Sequence, residues 1–562
     1  MTTEHLIFGR AEIEEGIQIH PVSQSWNDFG FNFHAEAALT AKKRPRLNLS
    51  LYVIPFDGET IHRKFSAWYQ DLTAATGTAA APPSFATLLA GEKYYRALKD
   101  WCGSDAEYHS ILRQLHDITL ELAETPGPRV ERIRASNEFR LGVLRNAGAY
   151  RAFRTGYLCR TGNASADARI DFQYDVTLAS TGDVCIPFIH RDNDYVADRI
   201  HCIVGKNGVG KSRILASLVR TLAGDQRSLL EYDWNGPREH GAVTLGYFDG
   251  VAQPSYANHF SRVIAYSTEF EHQYPTHTHP SSSFDYLHFS LTSGLTGNPR
   301  SDSNTRCARA MVDLLRDHDP VGEVGPDRYS WLKKYCQDHI PWSDLCLPVE
   351  EGIDDRAIFS DQEGYWIKLE HLRHAGEQRT LELTGALAED RDIAFFNDEG
   401  IRVRISSGQR TYLRFAIHII SFISKGSLII LDEPETHLHP NLISQLMLLL
   451  NQVASTFESL ALIATHSVHV VREVPTHCTH VLTRTEEGTS TKHVYLPTLG
   501  ASPTLLSLAI FGDDSVPRHS NEIVKKIINS NLSMKEVIKD LSGLISTEML
   551  TEIRRGIEEQ SS

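Results

Sequence analysis

The eight residues Gly205-Lys-Asn-Gly-Val-Gly-Lys-Ser212 fit the pattern GxxxxGK[ST]. The apolar run Arg199–Val204 before them predicts a strand, and the spacing of apolar residues in Arg213–Leu222 predicts a helix. Glycines in such a loop let backbone N–H groups approach phosphate oxygens, and the N-terminus of the following helix adds partial positive charge. The stretch therefore predicts a phosphate-binding loop in an α/β fold.

The loop also contains the side chains that this chemistry requires. We expect Lys211 to reach the β- and γ-phosphates of ATP and Ser212 to ligate Mg²⁺. The candidate nucleotide-binding residues of the loop are Gly205, Lys206, Asn207, Gly208, Val209, Gly210, Lys211 and Ser212.

Two acids follow a second apolar run, Ser427–Leu431, which predicts a strand. Asp432 at the strand end is a candidate Mg²⁺ ligand, and Glu433 is placed to polarise an attacking water. Apolar runs that end in Asp-Glu are common, so the functional interpretation of this pair depends on the presence of the phosphate loop.

Two shorter motifs flank that strand. Ser406, Gly408 and Gln409 precede the predicted helix Thr411–Ser424, where serine and glycine are also ordinary capping residues. His466 follows the apolar strand Leu460–Ala464, where a lone histidine is usually structural. The order of the four motifs along the chain favours a functional interpretation of both.

In this order the motifs resemble the ABC ATPase superfamily in its SMC-like and OLD-like branch, over roughly 165–275 and 400–480. The resemblance implies that Ser406, Gly408 and Gln409 of one chain meet the γ-phosphate held by another. It also implies that His466 is the switch histidine, and that Glu433 and His466 are the catalytic residues. ATP and Mg²⁺ would then lie between two heads, in a homodimer or higher homo-oligomer.

The motifs depart from the family pattern at two points. Ser407 replaces the first glycine of the usual LSGGQ signature, and Pro434-Glu-Thr-His-Leu-His439 follows the acids in place of a transporter's Pro-Thr-Ser-Ala-Leu-Asp. His439 stands where the communicating aspartate would be, and the sequence leaves open whether His437 or His439 takes that role. Gln273 is the candidate Q-loop residue.

The fold class predicted is α/β: an ABC-type P-loop ATPase head with a mixed sheet covered by helices. We assign the N-terminal lobe of the head to 1–60 and 161–275, with a helical insertion at 61–160. An irregular helical and strand insertion, a lid or arm, precedes the signature at 276–400. The C-terminal lobe of the head spans 401–500, and a helical tail spans 501–562.

Net charge, apolar runs and cysteine spacing restrict the partners and the cellular compartment expected for the chain. The chain has 562 residues and a net charge of −15, which disfavours nucleic-acid wrapping over the whole surface. No apolar run reaches 18 residues and no secretory signal precedes the first strand, so no membrane association is expected. The eight cysteines form no Cys-x-x-Cys pair, which favours a reducing cytoplasm.

The sequence has no long heptad array and no acidic DxD cluster after Pro475, which argues against a long-armed ATPase and a fused nuclease. The chain is similar to the PtuA-like ATPases of the Septu and retron-linked antiphage systems. That resemblance implies a regulatory ATPase that controls a separate HNH-type nuclease, with RNA, single-stranded DNA or retron DNA as further partners. The alternative is a RecF- or SMC-like repair ATPase that binds DNA directly, and a transporter subunit is disfavoured.

The helical block at 61–160 is rich in arginine. Its arginines predict either a solvated helical face or a basic surface for nucleic acid or an acidic partner. The residues concerned are Arg129, Arg132, Arg134, Arg140, Arg145, Arg151, Arg154 and Arg160.

Overall fold

A computed structural model gives the fold of the chain. It describes residues 6–9, 14–22, 30–57, 60–76, 84–124, 128–144, 146, 148–149, 152–153, 156, 171–178, 182–191, 195–196, 198–223, 241–245, 260, 262–268, 274, 286–291, 307–317, 325–351, 358–374, 386–388, 391–485, 488–492, 494–512, 518–530, 532–541 and 543–560.

The described part of the chain contains both strands and helices. Strands β1 to β20 span, in chain order, Leu6–Phe8, Gly16–Pro21, His34–Ala41, Arg44–Asp57, Thr60–Ile61, Phe85–Leu89, Phe172–Leu178, Gly182–Phe188, Ile200–Gly205, Gly241–Leu245, Arg262–Ser267, Tyr286–Ser290, Leu345–Val349, Ile358–Asp361, Gly364–Lys368, Ala394–Phe395, Ser427–Asp432, Leu460–Thr465, Thr479–Thr485 and Gly488–Lys492. Helices α1 to α17 span Phe65–Thr76, Glu92–Trp101, Asp105–Gln114, Ile118–Glu124, Pro128–Ala135, Asn137–Gly142, Lys211–Ala223, Cys307–Arg316, Arg328–Cys336, Leu369–His374, Ser407–Phe422, Pro440–Thr456, Val468–Val471, Pro503–Phe511, Arg518–Ile528, Met534–Leu541 and Thr547–Gln560.

A seven-stranded sheet in the order β12-β11-β17-β18-β9-β19-β20 forms the centre of the molecule. Its strands run parallel except β20, which pairs antiparallel with β19 at the edge. Strands β9, β17 and β18 are buried along their whole length, as expected for parallel strands covered on both faces. The predicted α/β fold class, a mixed sheet covered by helices, is confirmed.

A second, three-stranded antiparallel sheet in the order β10-β7-β8 covers α7, the helix after the phosphate loop. Tyr174 and Ile186 of this sheet share a core with Leu215 and Val219 of α7. The helix is thereby fixed between two sheets. The apolar pattern of Ile170–Leu178 and Val184–Ile189 in the sequence predicts strands, and β7 and β8 overlap these ranges.

Strands β1 to β6 form a separate sheet with its own core. Its strand residue Leu51 is in the same apolar cluster as Leu98, Ile111 and Phe139 of the following helices. The predicted division, which joined 1–60 to the head and set 61–160 apart, differs from this grouping. Apolar alternation predicts a strand but not its partner, and β4 pairs with the nearby β6 of the same unit.

The described part of 276–400 packs onto the head. Strands β13 to β16 form a four-stranded sheet, and helices α8 and α9 lie against α11, the long helix after the signature. Met311 of α8 and Leu332 of α9 are in the same buried cluster as Phe415 of α11. This predicted lid or arm is therefore anchored at the signature helix.

The tail divides into two parts. Helix α14 packs its Leu506 and Ile510 into the core of the head, whereas α15, α16 and α17 surround a small core of their own. Among the described residues, no helix combines the length and apolar character needed to cross a bilayer.

A buried ion pair joins the N-terminal unit to the head. Arg262 at the start of β11 is 1% exposed, donates to the carbonyl of Phe422 (2.6 Å) and lies 3.3 Å from a carboxylate oxygen of Glu92. Arg96, one turn along the same helix as Glu92, reaches the hydroxyl of Ser424 at 3.4 Å. Helix α2 is thus bonded to the ends of α11 and β11.

We expect Glu92→Ala to reduce stability by about 2 kcal/mol, because it leaves the buried Arg262 guanidinium without its carboxylate. Urea unfolding measures the effect as a lower midpoint of the first transition. Glu559→Gln is the control, since Glu559 pairs with Arg555 on the surface, and its midpoint should match the wild type. Equal midpoints for Glu92→Ala and wild type would show that the ion pair of Glu92 and Arg262 does not stabilise the contact between the N-terminal unit and the head.

Candidate nucleotide-binding site

The loop Gly205–Ser212 joins the end of β9 to the start of α7. A Cβ atom on Gly205 would lie 2.6 Å from the carbonyl oxygen of Leu482, so a larger residue would displace the neighbouring strand β19. Gly208 and Gly210 have φ angles of +80° and +101°, which L side chains rarely adopt. The glycines at these three positions are therefore required by the shape of the loop.

The middle of the loop is divided between solvent and core. Lys206 and Asn207 are exposed, whereas Val209 is buried beneath them. The hydroxyl of Thr489 on β20 donates to the carbonyl of Val209 at 3.2 Å. Val209 thus anchors the loop to the sheet, and the two polar residues before it face outward.

Lys211 folds back over the loop that precedes it. Its side chain is 4% exposed, and Nζ donates to the carbonyls of Gly205 (3.1 Å) and Lys206 (3.4 Å). Nζ also lies 3.4 Å from Oε1 of Glu433. An ammonium in this position, beside a loop of backbone N–H groups, suits an anionic phosphate ligand.

Ser212 and Asp432 meet at the carboxyl edge of the sheet. The Ser212 hydroxyl donates to Oδ1 of Asp432 at 2.8 Å, and Asp432 is 6% exposed at the end of β17. A hydroxyl beside a carboxylate offers the hard oxygen ligands that Mg²⁺ prefers. No cluster of three or more His, Cys, Asp or Glu ligands occurs among the described residues.

Glu433 has an unusual backbone conformation for a residue with a side chain. Its φ is +48°, its N–H donates to the carbonyl of Ala464 (2.8 Å), and the Thr268 hydroxyl lies 3.4 Å from its carbonyl oxygen. Strained backbone of this kind is concentrated at functional sites. The turn directs the Glu433 carboxylate towards both Lys211 and His466.

His466 lies between two carboxylates. Its Nδ1 is 3.5 Å from Oε1 of Glu433 and 3.3 Å from Oε1 of Glu435. Sequence reasoning missed Glu435, because the polar string Glu435-Thr-His-Leu-His predicts an exposed loop. The structure instead buries Glu435 to 7% exposure. The available signal was the position of Glu435 three residues after Asp432, which places it in the loop that faces His466.

The structure thus places five of the candidate residues close together, namely Lys211, Ser212, Asp432, Glu433 and His466. The signature residues lie elsewhere. Ser406 and Gln409 cap α11 reciprocally, with the Gln409 N–H bonded to the Ser406 hydroxyl and the Ser406 N–H bonded to the Gln409 side chain. This capping box starts the helix at Ser407, four residues before the predicted Thr411, and the helix N-terminus favours an anionic ligand.

The signature is also tied to two neighbouring segments. The Gln409 side-chain amide donates to the carbonyl of His339 at 2.7 Å. A Cβ atom on Gly408 would lie 2.8 Å from the carbonyl oxygen of His437, so only glycine allows this approach. The contacts of the signature are therefore with 339 and 437 rather than with the phosphate loop of its own chain.

The two histidines after Glu435 differ in their surroundings. His439 caps α12, since its Nδ1 accepts from the N–H of Asn441 at 3.4 Å. His437 is exposed and has a φ of +70°. His439 therefore has a structural role in the loop, and the question of communication between chains stays open for both.

The Q-loop candidate Gln273 lies outside the described residues, but its neighbour Tyr274 is buried near Asp432. Burial raises the pKa of Tyr274 well above its usual value, and the nearby carboxylate of Asp432 adds to the rise. Tyr274 also stacks on His288 of β12. The segment at 274 thus borders the candidate metal ligand, which the sequence did not reveal.

The arginine block is described only in part. Arg129 pairs with both oxygens of Glu121 at 2.6 Å and so has a structural role, whereas Arg132 is exposed. The other six arginine side chains, at 134, 140, 145, 151, 154 and 160, lie outside the described part of the chain.

Comparisons with known proteins bear on the C-terminal half of the site. Residues 374–472 match the family model described as "AAA domain, putative AbiEii toxin, Type IV TA system". Protein ea59 of Escherichia phage lambda is 23% identical over 391 residues, which cover 68% of each chain.

Two SMC heads are among the similar solved structures. An SMC head bound to the C-terminal winged-helix domain of ScpA has 14% identity and a TM-score of 0.31, covering 57% of this chain and 97% of that one. The SMC head of Thermotoga maritima has 14% identity and a TM-score of 0.28, covering 58% and 100%. Over residues 374–472, which contain Ser406, Asp432, Glu433 and His466, the chain is thus similar to a family described as an AAA domain.

Proposed function

We propose that this chain binds ATP with Mg²⁺ at Gly205–Ser212 and hydrolyses it. The observation that carries the proposal is the convergence of Lys211, Ser212, Asp432 and Glu433 at one edge of the sheet. These groups come from two segments more than 200 residues apart in the chain, and a coincidental meeting of a cation, a hydroxyl and two acids is a poor explanation.

Each residue has a distinct task in this reaction. Lys211 would neutralise phosphate charge, and Ser212 and Asp432 would hold Mg²⁺, whose positive charge would stabilise the negative charge of the phosphates. Glu433 accepts a proton from the attacking water, and His466 orients that water against the γ-phosphate. The distance of 3.5 Å between Glu433 Oε1 and His466 Nδ1 supports a shared position of the two side chains beside the transferred group.

The site is completed by a second copy of the chain. Ser406, Gly408 and Gln409 form a capped helix N-terminus whose contacts are with 339 and 437, so their anion-binding end is available to a ligand held by another chain. In a twofold dimer the same surface is used twice, which gives two equivalent sites.

We further propose that hydrolysis controls a partner, namely an HNH-type nuclease of an antiphage defence system. The description of the matched family names an AAA domain and a "putative AbiEii toxin" of a type IV TA system, and the relative ea59 belongs to a phage. Both descriptions support a role in conflict between bacteria and phages. Co-purification of the tagged chain from its own operon tests the idea. Recovery of the chain with no nuclease partner, together with no antiviral phenotype of the operon, would contradict it.

The second candidate is a repair ATPase that binds DNA directly. It is favoured by three exposed basic residues, Lys42 and Lys43 on the turn between β3 and β4 and Arg46 at the start of β4. Arg44 instead pairs with Glu107. DNA affinity that falls steeply with salt, in the absence of any partner, would favour this candidate over the first.

We expect Glu433→Gln to lower kcat by about 10²- to 10⁴-fold because it removes the general base, while ATP affinity stays within a few-fold of the wild type. Phosphate release and fluorescent-nucleotide binding measure the two quantities. Unchanged turnover would show that another group accepts the proton.

Lys211→Ala should instead weaken ATP binding by about 10- to 100-fold, since it removes a charged contact with the phosphates. Lys425→Ala is the matched control, because Lys425 is an exposed lysine paired with Glu458 and should bind ATP normally. Equal ATP affinities for Lys211→Ala and the control would contradict the assigned role of Lys211.

Mixing two inactive variants tests whether the signature acts in the other chain. Ser406→Asp keeps a good helix cap but places negative charge against the γ-phosphate. Neither Ser406→Asp nor Lys211→Ala should turn over alone. A 1:1 mixture should recover about one quarter of wild-type activity, because half of the dimers then contain one intact site. A mixture as inactive as its components would contradict action between chains.

A further inference from the structure

Glu435 is a buried acid beside the candidate reaction centre. Its side chain is 5% exposed, compared with 21% for Glu433 and 45% for His466. None of the roles proposed above uses it.

The contacts of Glu435 converge on one oxygen. Oε1 accepts from the Thr465 hydroxyl (2.5 Å) and from the His466 N–H (3.0 Å), and it lies 3.3 Å from His466 Nδ1. The other oxygen, Oε2, is buried and accepts no hydrogen bond from any described residue. Within the described chain, the ion-pair partner of Glu435 is His466.

Stability alone does not account for this arrangement. Burial of a carboxylate is unfavourable unless it is paired and fully hydrogen-bonded, and Glu435 leaves one oxygen without a donor. Groups of this kind are concentrated where function demands them, at the expense of stability.

The position of Glu435 explains what it does for its neighbours. It follows β17 by three residues, and its partners Thr465 and His466 lie at the end of β18, so its carboxylate bridges the two loops. The Thr465 hydroxyl in turn accepts from the N–H of Ser467 at 2.9 Å, which continues the network through the His466 loop.

We propose that Glu435 is a positioning residue for His466. It fixes the His466 backbone through the N–H, and its acceptor oxygen Oε1 beside Nδ1 favours the proton on that nitrogen, so that Nε2 is the unprotonated nitrogen of the neutral ring. The catalytic task of His466 rests on the proposed ATP hydrolysis. The hydrogen bonds by which Glu435 joins the two loops do not depend on it.

Kinetics distinguish this role from general structural support. Glu435→Ala should lower kcat by about 10- to 100-fold with the KM for ATP within about threefold, whereas Glu435→Gln keeps an acceptor oxygen and should stay within about threefold of wild type. When His466 is already alanine, Glu435→Ala should change kcat by less than about twofold, because the two residues act as one unit. An equally large loss with and without His466, or no loss at all, would overturn the inference.

Hydrogen exchange tests the bridge without reference to turnover. The His466 amide should exchange at least about tenfold faster in Glu435→Ala than in wild type and stay protected in Glu435→Gln. The Thr119 amide is the matched control, because it donates to the buried carboxylate of Asp117 in the N-terminal unit and should be unaffected. An unchanged His466 amide would overturn the inference, whether or not the chain hydrolyses ATP.

Asp117→Asn is the control variant for both measurements. Asp117 is a buried acid that accepts backbone N–H bonds, as Glu435 does, but it caps a helix in the N-terminal unit. Its replacement should leave turnover and the His466 amide unchanged, and a loss equal to that of Glu435→Ala would show that any buried acid has the same effect.

Discussion

The constraint on which the site depends is the parallel alignment of β9, β17 and β18. Since adjacent parallel strands end at the same edge of a sheet, the loops after these three strands meet there. The hydrogen bond between Ser212 and Asp432, 2.8 Å long, is the direct result. It joins the phosphate loop to the acids although 220 residues separate them in the chain.

Much of the remaining architecture holds this edge in place. Two sheets cover α7, so the helix N-terminus that follows the loop is fixed in direction. Helices α8 and α9 support α11, whose capped start carries Ser406. The buried pair of Arg262 and Glu92 attaches the N-terminal unit to the far end of α11. The N-terminal unit and the described part of 276–400 thus both contact the region of the helix that begins at the signature.

The sequence predicted the parts of the site that depend on local pattern. The apolar runs at β9, β17 and β18 and the glycine spacing of the loop suffice to place Lys211, Ser212, Asp432, Glu433 and His466 at one edge. Pairing between distant segments was harder to predict. The alternation in β3 and β4 does not say which sheet they join, and the polar surroundings of Glu435 in the sequence hide its burial against Thr465.

A structure of Glu433→Gln determined with ATP and Mg²⁺ tests the central claim most directly, because this variant should bind nucleotide without consuming it. The account predicts a dimer in which each ATP lies between Gly205–Ser212 of one chain and Ser406–Gln409 of its partner. A monomer with ordered ATP, or a nucleotide that touches no signature residue of a second chain, would contradict it.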